Sequence, residues 1–136
     1  MPMTFLDDIA SRLVSAGVGV IGSSIFLSSK AVIPTGSGPY ISLMETGGVA
    51  PRRVQNRNGA AVIRPSVQVV VRASTYPAAR TKAEDAYRAL DGIFNTMLNG
   101  TFYVKITARQ EPTDTGLDES GRPRLTFNLD AERIPS

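Results

Sequence analysis

Arg64-Pro65-Ser66-Val67-Gln68-Val69-Val70-Val71-Arg72 is the stretch on which the fold of this chain turns. Val67, Val69 and Val71 alternate with Gln68, Val70 and Arg72, which predicts an extended strand with one apolar face. Branching at Cβ stiffens valine in the form that packs well on a pleated surface. Pro65 has no N–H to give to a ladder and suits a strand entry or an edge. Five residues past Arg72 the period changes. From Pro77, whose missing N–H is harmless in a first turn, Ala79, Ala83, Ala86, Leu90, Phe94 and Met97 recur at helical spacing, with Tyr87, Ile93 and Leu98 beside them. The spacing predicts one helix from about Pro77 to Leu98, stopped by Asn99-Gly100. Arg80, Glu84, Arg88 and Asp91 take its other face, and the Arg80–Glu84 pair contributes only about 0.3–0.5 kcal/mol, so burial does most of the stabilising.

Outward from this centre the same logic supplies the rest. Towards the N-terminus, Tyr40 to Glu45 is a short strand, Ser28 to Gly38 a loop, and Val18 to Leu27 a strand rich in Val and Ile. Before them Phe5, Leu6, Ile9, Leu13 and Val14 form a helical stripe, with Thr4 as N-cap, Asp7 at the third helical position and Gly17 as the stop. Towards the C-terminus, Phe102, Val104, Ile106 and Ala108 alternate with polar residues, as do Leu125, Phe127 and Leu129. The order is α-β-β-β-α-β-β. One-sided strands are the mark of an antiparallel sheet covered by helices on one face only. The expected architecture is α+β: about five antiparallel strands with two helices on one face, a single domain over residues 1–136. Long loops are expected at about 46–62, where Asn58-Gly59 reads as a turn, and at 111–123.

The residues that are missing exclude most chemistry. Histidine, cysteine and tryptophan are all absent. Disulfides, zinc sites with Cys or His ligands, thiol nucleophiles and imidazole-based triads are therefore closed off. General acid–base work would need a strongly shifted carboxylate or lysine. The apolar fraction of 42% and charged fraction of 20% are those of a globular chain. No run of about 18 apolar residues is available to cross a bilayer. The start, with Asp7 and Asp8 and no basic segment, does not read as a secretory leader. No catalytic, cofactor-binding or metal-ligating residue is expected.

Charge is distributed unevenly. The formal balance is +3, yet between Thr46 and Ala83 there are Arg52, Arg53, Arg57, Arg64, Arg72, Arg80 and Lys82 and no acid. Arg52, Arg53 and Arg57 make the loop at 46–62 a candidate interface with an anionic partner, either an acidic neighbouring subunit or DNA phosphates. Aromatic residues that would stack bases are absent from it, so sequence-specific or single-strand recognition is not expected. Asp114, Asp118, Glu119 and Arg122 make the loop at 111–123 a candidate docking segment; its spacing does not match a calcium loop.

Two motifs have plainer readings than their patterns suggest. Gly17-Val18-Gly19-Val20-Ile21-Gly22 spells G-x-G-x-x-G, but a helix precedes it and a strand follows, the reverse of a dinucleotide site. Asn99-Gly100-Thr101 is a glycosylation sequon only in a secreted chain and otherwise a turn.

Several segments taken in order carry a family resemblance. They are Gly47-Gly48, then Arg64 to Ala73, then Tyr76-Pro77-Ala78-Ala79-Arg80 opening the long helix. Gly100-Thr101-Phe102-Tyr103, Gln110-Glu111-Pro112, Gly116-Leu117-Asp118-Glu119 and Gly121-Arg122-Pro123 follow, with Asn128 and Arg133 closing the set. Together they resemble the tail-terminator, or minor capsid, proteins of long-tailed bacteriophages. The resemblance implies a structural virion protein at the head–tail junction, made in the cytoplasm of a bacterial host. It implies a ring, typically a hexamer, that caps the tail tube, ends tube polymerisation and meets the head connector. The implied partners are other copies of the chain, a tail-tube protein and a head-completion or connector protein. Non-specific contact with DNA passing through the lumen is also compatible. Other neck, head-completion or tail proteins of this size, or a small basic DNA-binding packaging accessory, are the competing readings. The basic loop fits either a neighbouring subunit or the lumen.

Overall fold

The computed structural model describes residues 4–27, 38–47, 49–53, 61–117 and 121–134. Its first helix, α1 (Phe5–Ser15), starts as the sequence requires. The Thr4 hydroxyl accepts from the Asp7 backbone N–H at 3.2 Å, and the Asp7 carboxylate accepts from the Thr4 N–H at 2.9 Å. This reciprocal cap satisfies two N–H groups that a helix start otherwise leaves open. Phe5, Leu6, Ile9, Ala10 and Leu13 are buried, each large one contributing about 1.5–3 kcal/mol through removal from water.

Nine strands are formed among the described residues: β1 (Ile25–Leu27), β2 (Tyr40–Glu45), β3 (Val49–Arg53), β4 (Ala61–Arg64), β5 (Ser66–Arg72), β6 (Ile93–Leu98), β7 (Thr101–Ala108), β8 (Thr113–Leu117) and β9 (Pro123–Ile134). The second helix, α2 (Tyr76–Leu90), lies between β5 and β6. The α+β class and the two helices are as expected, and the sheet is larger than five strands. It is also mixed: β1 runs parallel to β2, while the other pairings are antiparallel. Within the expected strand Val18 to Leu27, only the last three residues are strand; the glycine-rich part forms turns.

The register of the central strands sets the core. Leu43, Val69 and Phe127 stand in one row across β2, β5 and β9, and Ile41, Val71 and Leu125 in the next. Val67, Leu129 and Ala108 form a third row that reaches β7. These side chains point to one face, where the apolar stripes of α1 and α2 meet them in a single cluster. Ala79, Ala83 and Ala86 of α2 are fully buried, because a face of small residues lets the helix approach the sheet closely. The Arg12 guanidinium ties the helices together by donating to the Ala89 carbonyl at 3.1 Å.

The long helix is shorter than its spacing predicts. α2 stops at Leu90, where Asp91 takes extended backbone angles and its carboxylate accepts from the Ala108 N–H at 2.7 Å. Ile93 to Leu98 then forms β6, paired with β7 through the two-residue turn Asn99-Gly100. Both turn residues have positive φ (51° and 82°), the geometry of a tight hairpin that Asn-Gly adopts at low cost. The apolar residues Leu90, Phe94 and Met97 mimic a helical period, but Phe94 and Met97 are exposed.

The two expected loops also contain strands. β4 and β5 are one strand broken at Pro65: Ile63 pairs with Arg133 and Ser66 with Asp130 in unbroken register along β9. The Pro65 carbonyl still accepts from the Ala131 N–H at 2.9 Å, so the proline costs the ladder only its own donor. β3 pairs with β4 alone among the described strands, and a bulge lies between Val49 and Arg52. β3 and β4 thus form a two-stranded antiparallel arm that follows β2 and leads into β5. Within the second loop, β8 pairs with the start of β9, Thr113 opposite Thr126 and Leu117 opposite Pro123.

Candidate assembly surfaces

The sheet has one face under the helices and one face without them. Along β5 and β9 the second face carries Gln68, Val70, Thr126, Asn128 and Asp130. It carries a network that joins β5, β9 and Arg109, the residue after β7. Asp130 of β9 accepts from the Ser66 hydroxyl at 2.5 Å and from Arg109 Nε at 2.8 Å, and Arg109 also donates to Ser66 at 3.2 Å. The hydrogen bond from Arg109 holds the Asp130 carboxyl below its ordinary pKa, against an opposing push from burial. The same bond raises Arg109. At the far end of β5, about 20 Å away, the Arg72 guanidinium stacks over the Tyr40 ring at 5.4 Å. Sequence reading marked neither group, because alternation shows that Asp130 and Arg109 face away from the core but not that they meet.

The candidate residues fall at two separate places. Arg52 and Arg53 end β3, opposite Val62 and Ala61, at the outer end of the hairpin arm. Arg57 lies outside the described residues. The arm leaves the sheet beside Arg133, near the end of β9. Asp114 belongs to β8, at the beginning of β9, where its carboxylate accepts from the Gly116 N–H at 2.8 Å and shapes a turn. Arg122 sits just before β9, half-buried; Asp118 and Glu119 lie outside the described residues. Extended chain from Pro123 to Arg133 separates the two places by about 30 Å. The structure therefore does not bring the basic and acidic candidates of one chain together. Arg80 of α2 secures the second segment by donating to the Pro112 carbonyl at 2.9 Å.

A buried polar contact lies on the helix side. Asp8 of α1 is fully buried; it accepts from the Tyr103 hydroxyl and, at 2.9 Å, from the Asn99 amide. Burial pushes the Tyr103 phenol up, and the bond to Asp8 adds to the shift. This arrangement anchors the first helix to the β6–β7 hairpin. Among the described residues no group of three or more acids is placed to hold a metal ion. No described helix is long and apolar enough to cross a membrane.

A small α+β unit with a bare sheet face, a protruding hairpin and charged ends is built as a structural subunit that packs against other proteins. Comparison with known proteins makes this specific. The model of the family described as bacteriophage tail terminator protein matches residues 12–133, and the chain belongs to that family. It is a structural component of the virion tail and not an enzyme. Among solved structures, a chain from the virion of a native gene transfer agent particle has the same fold, with a TM-score of 0.63 at 17% identity over 93% of this chain and 92% of that one. Among curated proteins none matches the sequence.

Proposed function

We propose that the chain forms a closed ring, a hexamer, that caps the tail tube, ends its polymerisation and presents a surface to the head connector. The hairpin arm carries this reading. Past Ile63 it is paired only with itself among the described strands, so it reaches beyond its own core, and it ends in Arg52 and Arg53. An arm that leaves its own domain is stabilised by packing on a second molecule. The acidic segment around Asp114 lies at the other end of β9, which supplies opposite charge for a heterologous contact and a different surface for a second partner. In this arrangement the arm meets a neighbouring subunit, and the tube protein and the connector take the two rims of the ring.

Light scattering behind size exclusion, at low and moderate salt, tests the reading. A closed oligomer near six subunits is expected. A single chain of 14.5 kDa at every concentration would overturn the ring. Affinity for duplex DNA that falls steeply with salt would instead favour a packaging accessory.

A further inference from the structure

The two outermost edges of the sheet each expose apolar side chains. Across the sheet the order runs β1, β2, β5, β9, β7, β6, so β1 and β6 are opposite edges, five strand spacings or about 24 Å apart. Beside β6, Met97, Phe102 and Ile134 stand in one row on β6, β7 and β9, and Phe94 stands in the neighbouring row with Lys105 and Glu132. Ile93, Tyr103 and Leu98 turn inwards, so their strand neighbours Phe94, Phe102 and Met97 turn to the helix-free face. Phe94 is 58% exposed, Met97 59% and Ile134 36%. This apolar patch lies at the β6 end of the face that carries the Ser66, Arg109 and Asp130 network. Asn95, with φ 49°, bends the free strand and so hinders its extension by simple pairing.

The opposite edge carries a projection of matching character. The turn before β1 exposes Val20 (61%) and Ile21 (47%). It is firmly built. The Val20 carbonyl accepts from the N–H groups of Ser24 and Ile25 at 2.9 and 3.0 Å, and the Val20 N–H donates to the Ser24 hydroxyl at 2.9 Å. Lys82 of α2 secures its base by donating to the Val18 carbonyl at 2.7 Å. Gly19 is required there, since a Cβ would lie 2.7 Å from the Ser24 hydroxyl and 2.9 Å from an Ile25 carbon. A tightly bonded turn that holds two large apolar side chains in water is an unusual use of structure unless something covers them.

We propose that the Gly17–Gly22 turn of one copy seats on the Phe94, Met97, Phe102 and Ile134 patch of the next, an inference that rests on the ring reading. A ring needs two different surfaces on opposite sides of one subunit, and these are such a pair. The turn is flanked by Lys82, Asp85 and Arg88, the last two paired with each other at 3.5 Å, and the patch by Lys105 and Glu132, so charges of both signs lie on each side and can exchange partners across the contact. The glycine-rich segment thus serves as an apolar knob.

The chain has no cysteine, which makes the test clean. Ile21→Cys combined with Met97→Cys, oxidised with copper phenanthroline, is expected to give a ladder of covalent oligomers on a non-reducing gel. Each single variant is expected to give none. Phe94→Asp with Met97→Asp changes only exposed positions, so the fold is retained by circular dichroism while the solution mass falls to one chain. A wild-type oligomer whose mass survives the two aspartates, with no ladder from the paired cysteines, would overturn this contact and leave the ring standing. A wild type that is monomeric at every concentration would overturn the ring reading and this contact with it.

Discussion

The two faces of β5 and β9 are made by neighbouring residues of the same strands, yet they do different work. On one face Val67, Val69, Val71, Leu125, Phe127 and Leu129 are fully buried under two helices. On the other, Gln68, Asn128 and Asp130 stay partly in water and bond laterally, strand to strand. The first face holds the domain together by removing apolar surface from water, which any well-fitted apolar set can do. The second carries fixed polar groups, and at its β6 end an uncovered apolar patch, which matter only to a partner. Folding and assembly are thus written on alternate residues of one strand.

Substitutions on the two faces should separate these roles. Phe127→Ala, in the middle row, removes the ring that meets Tyr87 at 5.8 Å; we expect a loss of about 3–5 kcal/mol in urea unfolding. Asp8→Ala leaves the buried Tyr103 hydroxyl without its acceptor and is expected to cost roughly 2–3 kcal/mol, a polar effect of nearly core size because both side chains are fully buried. A loss under about 0.5 kcal/mol would show that this contact adds little to the helix-side layer.

On the helix-free face the effects should be smaller and depend on pH. Asp130→Asn is expected to cost about 1 kcal/mol at neutral pH, the charge part being reduced by solvent at this half-exposed pair. The folded carboxyl lies below its ordinary value, so its contribution is present above the unfolded pKa of about 3.9 and is lost as pH falls through the folded value. Unfolding midpoints of wild type and variant should therefore differ by a constant amount from pH 5 to 8 and converge in acid below pH 4. A gap that persists there would mean that the network acts through shape and not charge. Smallest in stability should be Arg52→Glu with Arg53→Glu, within about 0.5 kcal/mol. If the arm meets a neighbouring subunit, the same pair of changes should dissociate the oligomer in light scattering; an undiminished mass would remove the arm from the interface.

Much of this was legible in local pattern. The cap at Thr4 and Asp7, the α1 stripe, the inward valines of β5 and the alternation in β9 follow from periods of 3.6 and 2 that each segment carries by itself. In β7 the expected face of Phe102, Val104, Ile106 and Ala108 is broken by a register shift between Tyr103 and Lys105, which turns Tyr103 inwards and Phe102 outwards. The absence of His and Cys pointed away from catalysis on chemistry alone, and the ordered set of segments carried the family. The tertiary structure decided what depends on pairing across distance. Leu90, Phe94 and Met97 satisfy a helical period as well as a strand, and only a free edge on β7, with Asp91 closing α2, makes Ile93–Leu98 a strand. β3, interrupted by Pro51, and β8, mostly polar, carry no apolar alternation, and their order comes from β4 and β9 beside them. The parallel start of the sheet, the separation of Arg52 from Asp114 and the meeting of Arg109 with Asp130 are likewise consequences of register. A sequence states which face each residue of a strand takes; which strand lies alongside is settled by the packing of the whole sheet.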